Sequence, residues 1–171
     1  GLTLRNTGAS QVEDRAALKV RNARGCRIER NRLVDTFFGI YLERTVDCVV
    51  AENDVRGHFD RQTLAGNGIH VWQSERVTLT GNRVTGHRDG IYFEFVKDGD
   101  VCANTSEQNQ RYGLHFMFSD DCRYEGNTFR ANESGVAVMY TRRVRMIANR
   151  FERNWGGAAY GLLLKDITDS E

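Results

Sequence analysis

The sequence predicts an all-β fold: a parallel β-helix of about seven coils, each about 22 residues long and built from three short strands. Three observations lead there. A Gly-apolar-x-apolar unit recurs along the chain, an asparagine follows every copy but the last at constant distance, and none of the 171 residues is proline.

The unit reads Gly39-Ile40-Tyr41-Leu42, Gly68-Ile69-His70-Val71, Gly90-Ile91-Tyr92-Phe93, Gly113-Leu114-His115-Phe116, Gly135-Val136-Ala137-Val138 and Gly161-Leu162-Leu163-Leu164, with a weaker Ala17-Leu18-Lys19-Val20 before them. Asn31, Asn53, Asn82, Asn104, Asn127 and Asn149 each lie 14 residues after the Gly (or Ala17) of their unit. From each asparagine to the next glycine the distance varies, at 8, 15, 8, 9, 8 and 12 residues, so insertions fall at one corner of an otherwise rigid repeat.

Each part of the repeat shows strand periodicity. In the first segment the apolar pairs Ile40/Leu42, Ile69/Val71, Ile91/Phe93, Leu114/Phe116 and Val136/Val138 alternate with Tyr41, His70, Tyr92, His115 and Ala137. A second segment alternates through Cys26/Ile28, Cys48/Val50, Val77/Leu79, Cys122/Tyr124 and Val144/Met146. A third carries Leu33, Val55, Val84, Ser106, Phe129 and Phe151, each two residues after its asparagine. Identical columns in successive copies suit coils that pair in parallel with one another. A leucine-rich horseshoe would need a helix or its own leucine-asparagine signature, and a propeller a period of about 40. Proline cannot donate to a ladder, so its absence fits a chain in which nearly every strand is central.

The asparagines are expected to stack at a corner, each amide donating to the next coil and to turn carbonyls. Cys26, Cys48 and Cys122 read as small buried hydrophobes. Cys26 and Cys48 sit on adjacent coils at a separation that would permit a disulfide, but reduced thiols are expected, because in-register side chains point in parallel. Cys102 falls off that column and is expected to face outward. Residues 1–171 are expected to form a single β-helix domain. The chain starts at Gly1 rather than Met and both ends stop mid-coil, which reads as an excerpt of a longer chain truncated at both ends.

A formal net charge of +1 gives no reason to expect nucleic acid as a ligand. The single short basic run, Arg142-Arg143-x-Arg145, reads as a solvated edge. No apolar stretch approaches the ~20 residues of a membrane span. No C-x-x-C pair points to a thiolate zinc site or a redox motif.

Two outward columns follow from the first segment. One is Lys19, Tyr41, His70, Tyr92, His115, Ala137, Leu163; the other is Arg21, Glu43, Trp72, Glu94, Met117, Met139, Lys165. Methionine, histidine and aromatic residues are unusual on a solvated face. Met117 and Met139 fall on adjacent coils, with sulfurs expected within roughly 5 Å of each other, and His115 lies two residues from Met117. One imidazole and two thioethers suit Cu(I) better than zinc. His70, in the same column as His115, joins the candidate metal residues. Methionines filling the floor beneath a loop give an alternative reading of the same residues. The insertion from Arg56 to Asn67, which contains His58, and the shorter one around Trp155 to Tyr160 both lead into this face, and predict two loop walls flanking a shallow groove. A carbohydrate-active enzyme (lyase, hydrolase or epimerase) is a further alternative. Glu43 and Glu94, two coils apart, would supply a carboxylate pair, with Tyr92 and His70 as proton-transfer groups.

The strings Gly90-Ile91-Tyr92-Phe93-Glu94-Phe95, Arg111-Tyr112-Gly113-Leu114-His115-Phe116-Met117-Phe118-Ser119, Tyr124-Glu125-Gly126-Asn127-Thr128-Phe129 and Gly135-Val136-Ala137-Val138-Met139-Tyr140 resemble the NosD family, periplasmic accessory proteins of nitrous oxide reductase. The resemblance runs over roughly Gly68 to Leu164. It implies a right-handed β-helix in the periplasm that associates with an ABC transporter and with a copper-carrying lipoprotein. It further implies service in maturing the copper-sulfur site of nitrous oxide reductase. Taken with the methionine-histidine face, it leads to the expectation of a non-enzymatic scaffold that holds Cu(I) transiently, with membrane contact only through partners. The alginate-epimerase pattern would place Asp-Pro-His after Tyr-Gly-x, whereas Leu114-His115-Phe116 stands nearby.

Overall fold

A computed structural model describes residues 1–8, 10, 12–57, 65–157 and 160–171. Among these residues there are strands and turns and no helix. The strands form three parallel sheets that wind as a β-helix of about seven coils.

The first sheet runs β1 (Thr3–Arg5), β4 (Arg32–Thr36), β7 (Asp54–Gly57), β10 (Arg83–Thr85), β13 (Thr105–Glu107), β16 (Thr128–Arg130), β19 (Arg150–Glu152). The second carries the repeat unit in β2 (Ala16–Arg21), β5 (Phe38–Glu43), β8 (Ile69–Trp72), β11 (Ile91–Glu94), β14 (Tyr112–Met117), β17 (Ser134–Arg142) and β20 (Leu162–Thr168). The third contains β3 (Arg27–Glu29), β6 (Val49–Ala51), β9 (Thr78–Thr80), β12 (Asp100–Cys102), β15 (Arg123–Glu125) and β18 (Arg145–Ile147). Every pairing is parallel, and neighbours are one coil apart in the chain, so successive copies of each column lie side by side.

The interior is the set of inward columns. Ile40, Leu42, Ile69, Val71, Ile91, Phe93, Leu114, Phe116, Val136 and Val138 are fully buried, and meet Val50, Leu79 and Tyr124 from the third sheet and Leu33, Val55, Val84 and Phe129 from the first. At Gly39, Gly68, Gly90, Gly113 and Gly135 the glycine that opens the unit is set by the next coil. A Cβ at Gly113 would stand 2.7 Å from Asn132 Nδ2 and 2.8 Å from the Gly135 carbonyl oxygen, too close for any other residue.

The asparagine stack forms as expected. The side-chain NH2 of Asn53 donates to Asn82 Oδ1 at 2.9 Å and to the Ile28 carbonyl at 2.9 Å, and the pattern repeats through Asn82, Asn104 and Asn127. Each Oδ1 also accepts the backbone N–H of the preceding asparagine, as Asn82 does from Asn53 at 3.0 Å. A second ladder lies five residues on, through Asn109, Asn132 and Asn154, with His87 N–H donating to Asn109 Oδ1 at 3.1 Å.

Cys26 and Cys48 correct the expectation of reduced thiols: they form a disulfide, with Cα atoms 4.5 Å apart. Both occupy the turn residue just before β3 and β6, outside the strands, where the pleat does not hold neighbouring side chains parallel. Cys122 is buried and free, and Cys102 is free and half-buried at the end of β12. The run Arg142-Arg143-x-Arg145 pairs with Asp120, Asp121 and Glu171 on neighbouring coils.

Candidate functional site

The outer face of the second sheet carries the two columns in the predicted register. Tyr41, His70, Tyr92, His115 and Ala137 are successive partners, as are Glu43, Trp72, Glu94, Met117 and Met139. The first column is a ladder of rings: centroids are 4.4 Å apart for Tyr41–His70, 4.8 Å for His70–Tyr92 and 5.1 Å for Tyr92–His115. It is less exposed than a solvated outer face would be, with Tyr41 at 6% and His115 at 5%.

β14 and β17 set His115 and Met117 beside Ala137 and Met139, a two-by-two block on one face. Both methionines are half-buried. With strands ~4.8 Å apart the two thioethers are direct neighbours. The methyl of Ala137 is all that the fourth corner holds. Tyr92 donates its hydroxyl to Met117 Sδ at 3.5 Å. Burial pushes Tyr92 well above the ordinary phenol range, with Glu94 and Asp89 adding to it, so it stays a neutral donor at physiological pH.

Behind His115 stands a pair absent from the candidate residues. Asp89 is fully buried and accepts from Arg111, at 2.8 Å from Nε and through a second contact from Nη2. Asp89 Oδ2 lies 3.6 Å from His115 Nδ1, and Arg111 Nη2 lies 3.4 Å from the same nitrogen. Burial alone would raise the Asp89 carboxyl, but hydrogen bonds from Arg111 and His115 and the guanidinium charge carry it below the usual carboxylate range. His115 Nε2 is buried with no hydrogen-bond partner.

His70 is held differently. The side-chain amide of Asn67 is hydrogen-bonded to His70 Nδ1 at 3.0 Å. Burial lowers its pKa to about 4, against an opposing pull from Asp89, so it is neutral at physiological pH. His70 lines an open groove of about 790 Å³ together with Phe38, Asn67, Arg88, Tyr92 and Arg111. One wall is formed by Phe37–Phe38 and by Ala65–Asn67, the end of the first insertion. His58, placed within that insertion by the sequence reading, lies outside the described residues, as do residues 158–159 of the second expected wall.

The fold thus brings His115, Met117 and Met139 together and leaves His70 apart. Tyr92 separates the two histidines, and β8 is three strand spacings from β17, ~14 Å. Nor does it make a working pair of the glutamates. Trp72 stands between Glu43 and Glu94 in register, and Glu43 is buried between Arg21 at 2.8 Å and Lys19 at 3.4 Å.

Among the described residues no three His, Cys, Asp or Glu side chains converge as a hard-metal cage. The fit to a soft cation is better. It rests on the thioether pair and on His115 Nε2, the one buried imidazole nitrogen among the described residues left without a partner.

Residues 56–171 match the family described as periplasmic copper-binding protein (NosD). The chain belongs to the NosD family. The matched span contains His70, Asp89, Arg111, His115, Met117 and Met139, and excludes Glu43 and the Cys26–Cys48 disulfide. A relative in Pseudomonas aeruginosa, named probable ABC transporter binding protein NosD, is 38% identical over 92 residues, which are 53% of this chain and 22% of that one. The chain therefore spans about a fifth of the length of that relative. Among solved structures, a double mutant of the periplasmic alginate epimerase AlgG superposes with a TM-score of 0.53 at 19% identity, covering 74% of this chain and 35% of that one. A single mutant of the same epimerase gives 0.52 at 22%, over 72% and 34%. At such identities the likeness is one of fold. This NosD-family chain and the epimerase share a parallel β-helix.

Proposed function

We propose that this chain is the copper-handling part of a periplasmic, non-enzymatic NosD-family scaffold that carries Cu(I) transiently on His115, Met117 and Met139. Copper is cargo here, passed on rather than kept. The scaffold works with the subunits of an ABC transporter, takes copper from a copper-carrying lipoprotein and serves the maturation of the copper-sulfur site of nitrous oxide reductase.

The observation that carries the reading is the block on β14 and β17: two thioethers in register, with a buried, unpartnered imidazole nitrogen two residues away on the same face. Thioether and imidazole donors favour Cu(I) over hard cations, and their neutrality suits a site that must release its ion. The family's description as periplasmic copper-binding and the relative's name as an ABC transporter binding protein support the compartment, the cargo and the transporter. The Cys26–Cys48 disulfide suits an oxidising compartment.

The test is an anaerobic competition titration with a chromophoric Cu(I) chelator on wild type and on a Met117→Leu/Met139→Leu double variant. Leucine keeps the apolar volume, so the melting temperature should hold. Affinity should fall by roughly tenfold or more, a loss of at least about 1.4 kcal/mol. Equal affinity in the two proteins would remove the site.

A further inference from the structure

We infer that Asp89, locked by Arg111, is a positioning residue that holds His115 in the Nδ1–H tautomer and so presents an unprotonated Nε2 as the nitrogen donor to a soft cation. The inference rests on the copper reading above and adds two residues to it, neither of which would touch the ion.

The two nitrogens of an imidazole point in broadly opposite directions, and only one carries the proton in the neutral ring. Nδ1 of His115 faces the Asp89–Arg111 pair, 3.6 Å from the carboxylate oxygen and 3.4 Å from the guanidinium nitrogen. Nε2 faces the other way, buried and without a partner. If Arg111 donated to Nδ1, the proton would sit on Nε2. A buried N–H would then have no acceptor, and the ring would offer no lone pair to a metal. With the proton on Nδ1 it faces a fully buried carboxylate, and Nε2 keeps its lone pair free. Arg111 meanwhile spends two of its N–H groups on Asp89, which holds the carboxylate ionised and fixed in place. The backbone N–H of Tyr112 adds a third donor to Asp89 at 3.3 Å. A carboxylate that orients the far nitrogen of a ligating histidine is a recurrent device, and its removal costs about 10- to 100-fold in metal affinity.

The experiment is a long-range 1H–15N correlation of the histidine side chains in the metal-free protein, with the His115 signals assigned by their loss in His115→Gln. The expected result is a pyrrole-type Nδ1 and a pyridine-type Nε2. The reverse pattern overturns the inference. In Asp89→Asn, the new NH2 group can donate to Nδ1 and move the proton to Nε2. Reversal of the tautomer with a drop of about tenfold or more in Cu(I) affinity supports the inference, and reversal at unchanged affinity overturns it. Should Asp89→Asn fail to fold, the wild-type spectrum still decides the tautomer. The two readings fail separately. An Nδ1–H ring in a wild type that binds no Cu(I) sinks the copper reading and leaves the positioning by Asp89 standing. An Nε2–H ring in a wild type that binds Cu(I) does the opposite.

Discussion

The Tyr92 hydroxyl donates to the Met117 thioether sulfur at 3.5 Å, tying the ring ladder of one column to the methionine pair of the other. The same ring stands edge-on to His115, with centroids 5.1 Å apart and planes at 71°. Tyr92 thus covers part of the proposed copper-binding block, and its hydrogen bond must break before Met117 gives that lone pair to a cation.

Tyr92→Phe should therefore strengthen Cu(I) binding. The ring and its packing remain, and the hydroxyl is lost together with its contacts to Met117 and Glu94. A hydrogen bond worth about 0.5–1 kcal/mol corresponds to a gain of roughly two- to fivefold in affinity. Competition titration against wild type measures it. Weaker binding by the phenylalanine variant would mean that the hydroxyl assists the ion rather than competing with it.

Asn82 sits mid-ladder and makes the sharpest test of what holds the coils in register. Its NH2 donates to Asn104 Oδ1 and the Val50 carbonyl, and its oxygen accepts from the Asn53 backbone and side chain. Asn82→Ala strands several buried groups at about 1–3 kcal/mol each before relaxation, so a loss of roughly 2–4 kcal/mol is expected. Asn82→Asp keeps the shape but sets an oxygen against two acceptors, and should cost at least as much as alanine at pH 7. Urea denaturation of both variants reads the two losses. An aspartate variant as stable as wild type would show that shape alone fills the corner.

The columns were legible in the sequence because parallel coils preserve them. A constant distance from glycine to asparagine fixes register, and register fixes which residues become neighbours across 22 to 29 residues of chain. Met117 beside Met139 and the amide ladder both follow from that rule. Asp89 and Arg111 lie just before their strands, where period-two alternation assigns no face, so their pairing behind His115 was invisible. The second asparagine ladder also has a sequence signal: Asn109, Asn132 and Asn154 each follow a ladder asparagine by five residues, as His87 does. Phe95 and Phe118, just past β11 and β14, and Tyr140, within β17, stack at 5.1–5.2 Å, with positive φ and exposures of 39–49%. Nothing in the alternation suggested rings there. The cysteine pairing escapes the alternation for a related reason, since residues outside the strands do not obey strand geometry.

His87 should give folding stability a pH dependence. Burial lowers its pKa from 6.5 to about 4, only partly offset by the Thr85 carbonyl 3.0 Å from Nδ1. The unfolded chain takes up this proton near pH 6.5, so between the two values the unfolded state binds more protons. Stability is then fully present above that window, falls as pH is lowered through it, and levels off below. The slope is at most about 1.4 kcal/mol per pH unit for this one group. His70 adds a second contribution of the same sign. His87→Asn extends the second amide ladder with a group that does not titrate. Denaturation midpoints between pH 7 and 5 should show about half the wild-type slope in this variant, and an unchanged slope would assign the effect elsewhere.

The disulfide gives the last prediction. It closes a separation of 22 residues, for which the chain-entropy account expects a stabilisation of about 3 kcal/mol. A Cys26→Ser/Cys48→Ser variant should lose about that much in denaturation. Thiol labelling gives an independent reading. Native protein should react at Cys102, which is half-buried, and not at Cys122, which is enclosed and whose thiol burial pushes up to about 12. Unfolding without reductant should expose two thiols in all, and reduction should expose all four cysteines. Four reactive thiols in the unfolded but unreduced protein would show that Cys26 and Cys48 are reduced, and would restore the parallel side-chain arrangement that the strand periodicity alone predicts.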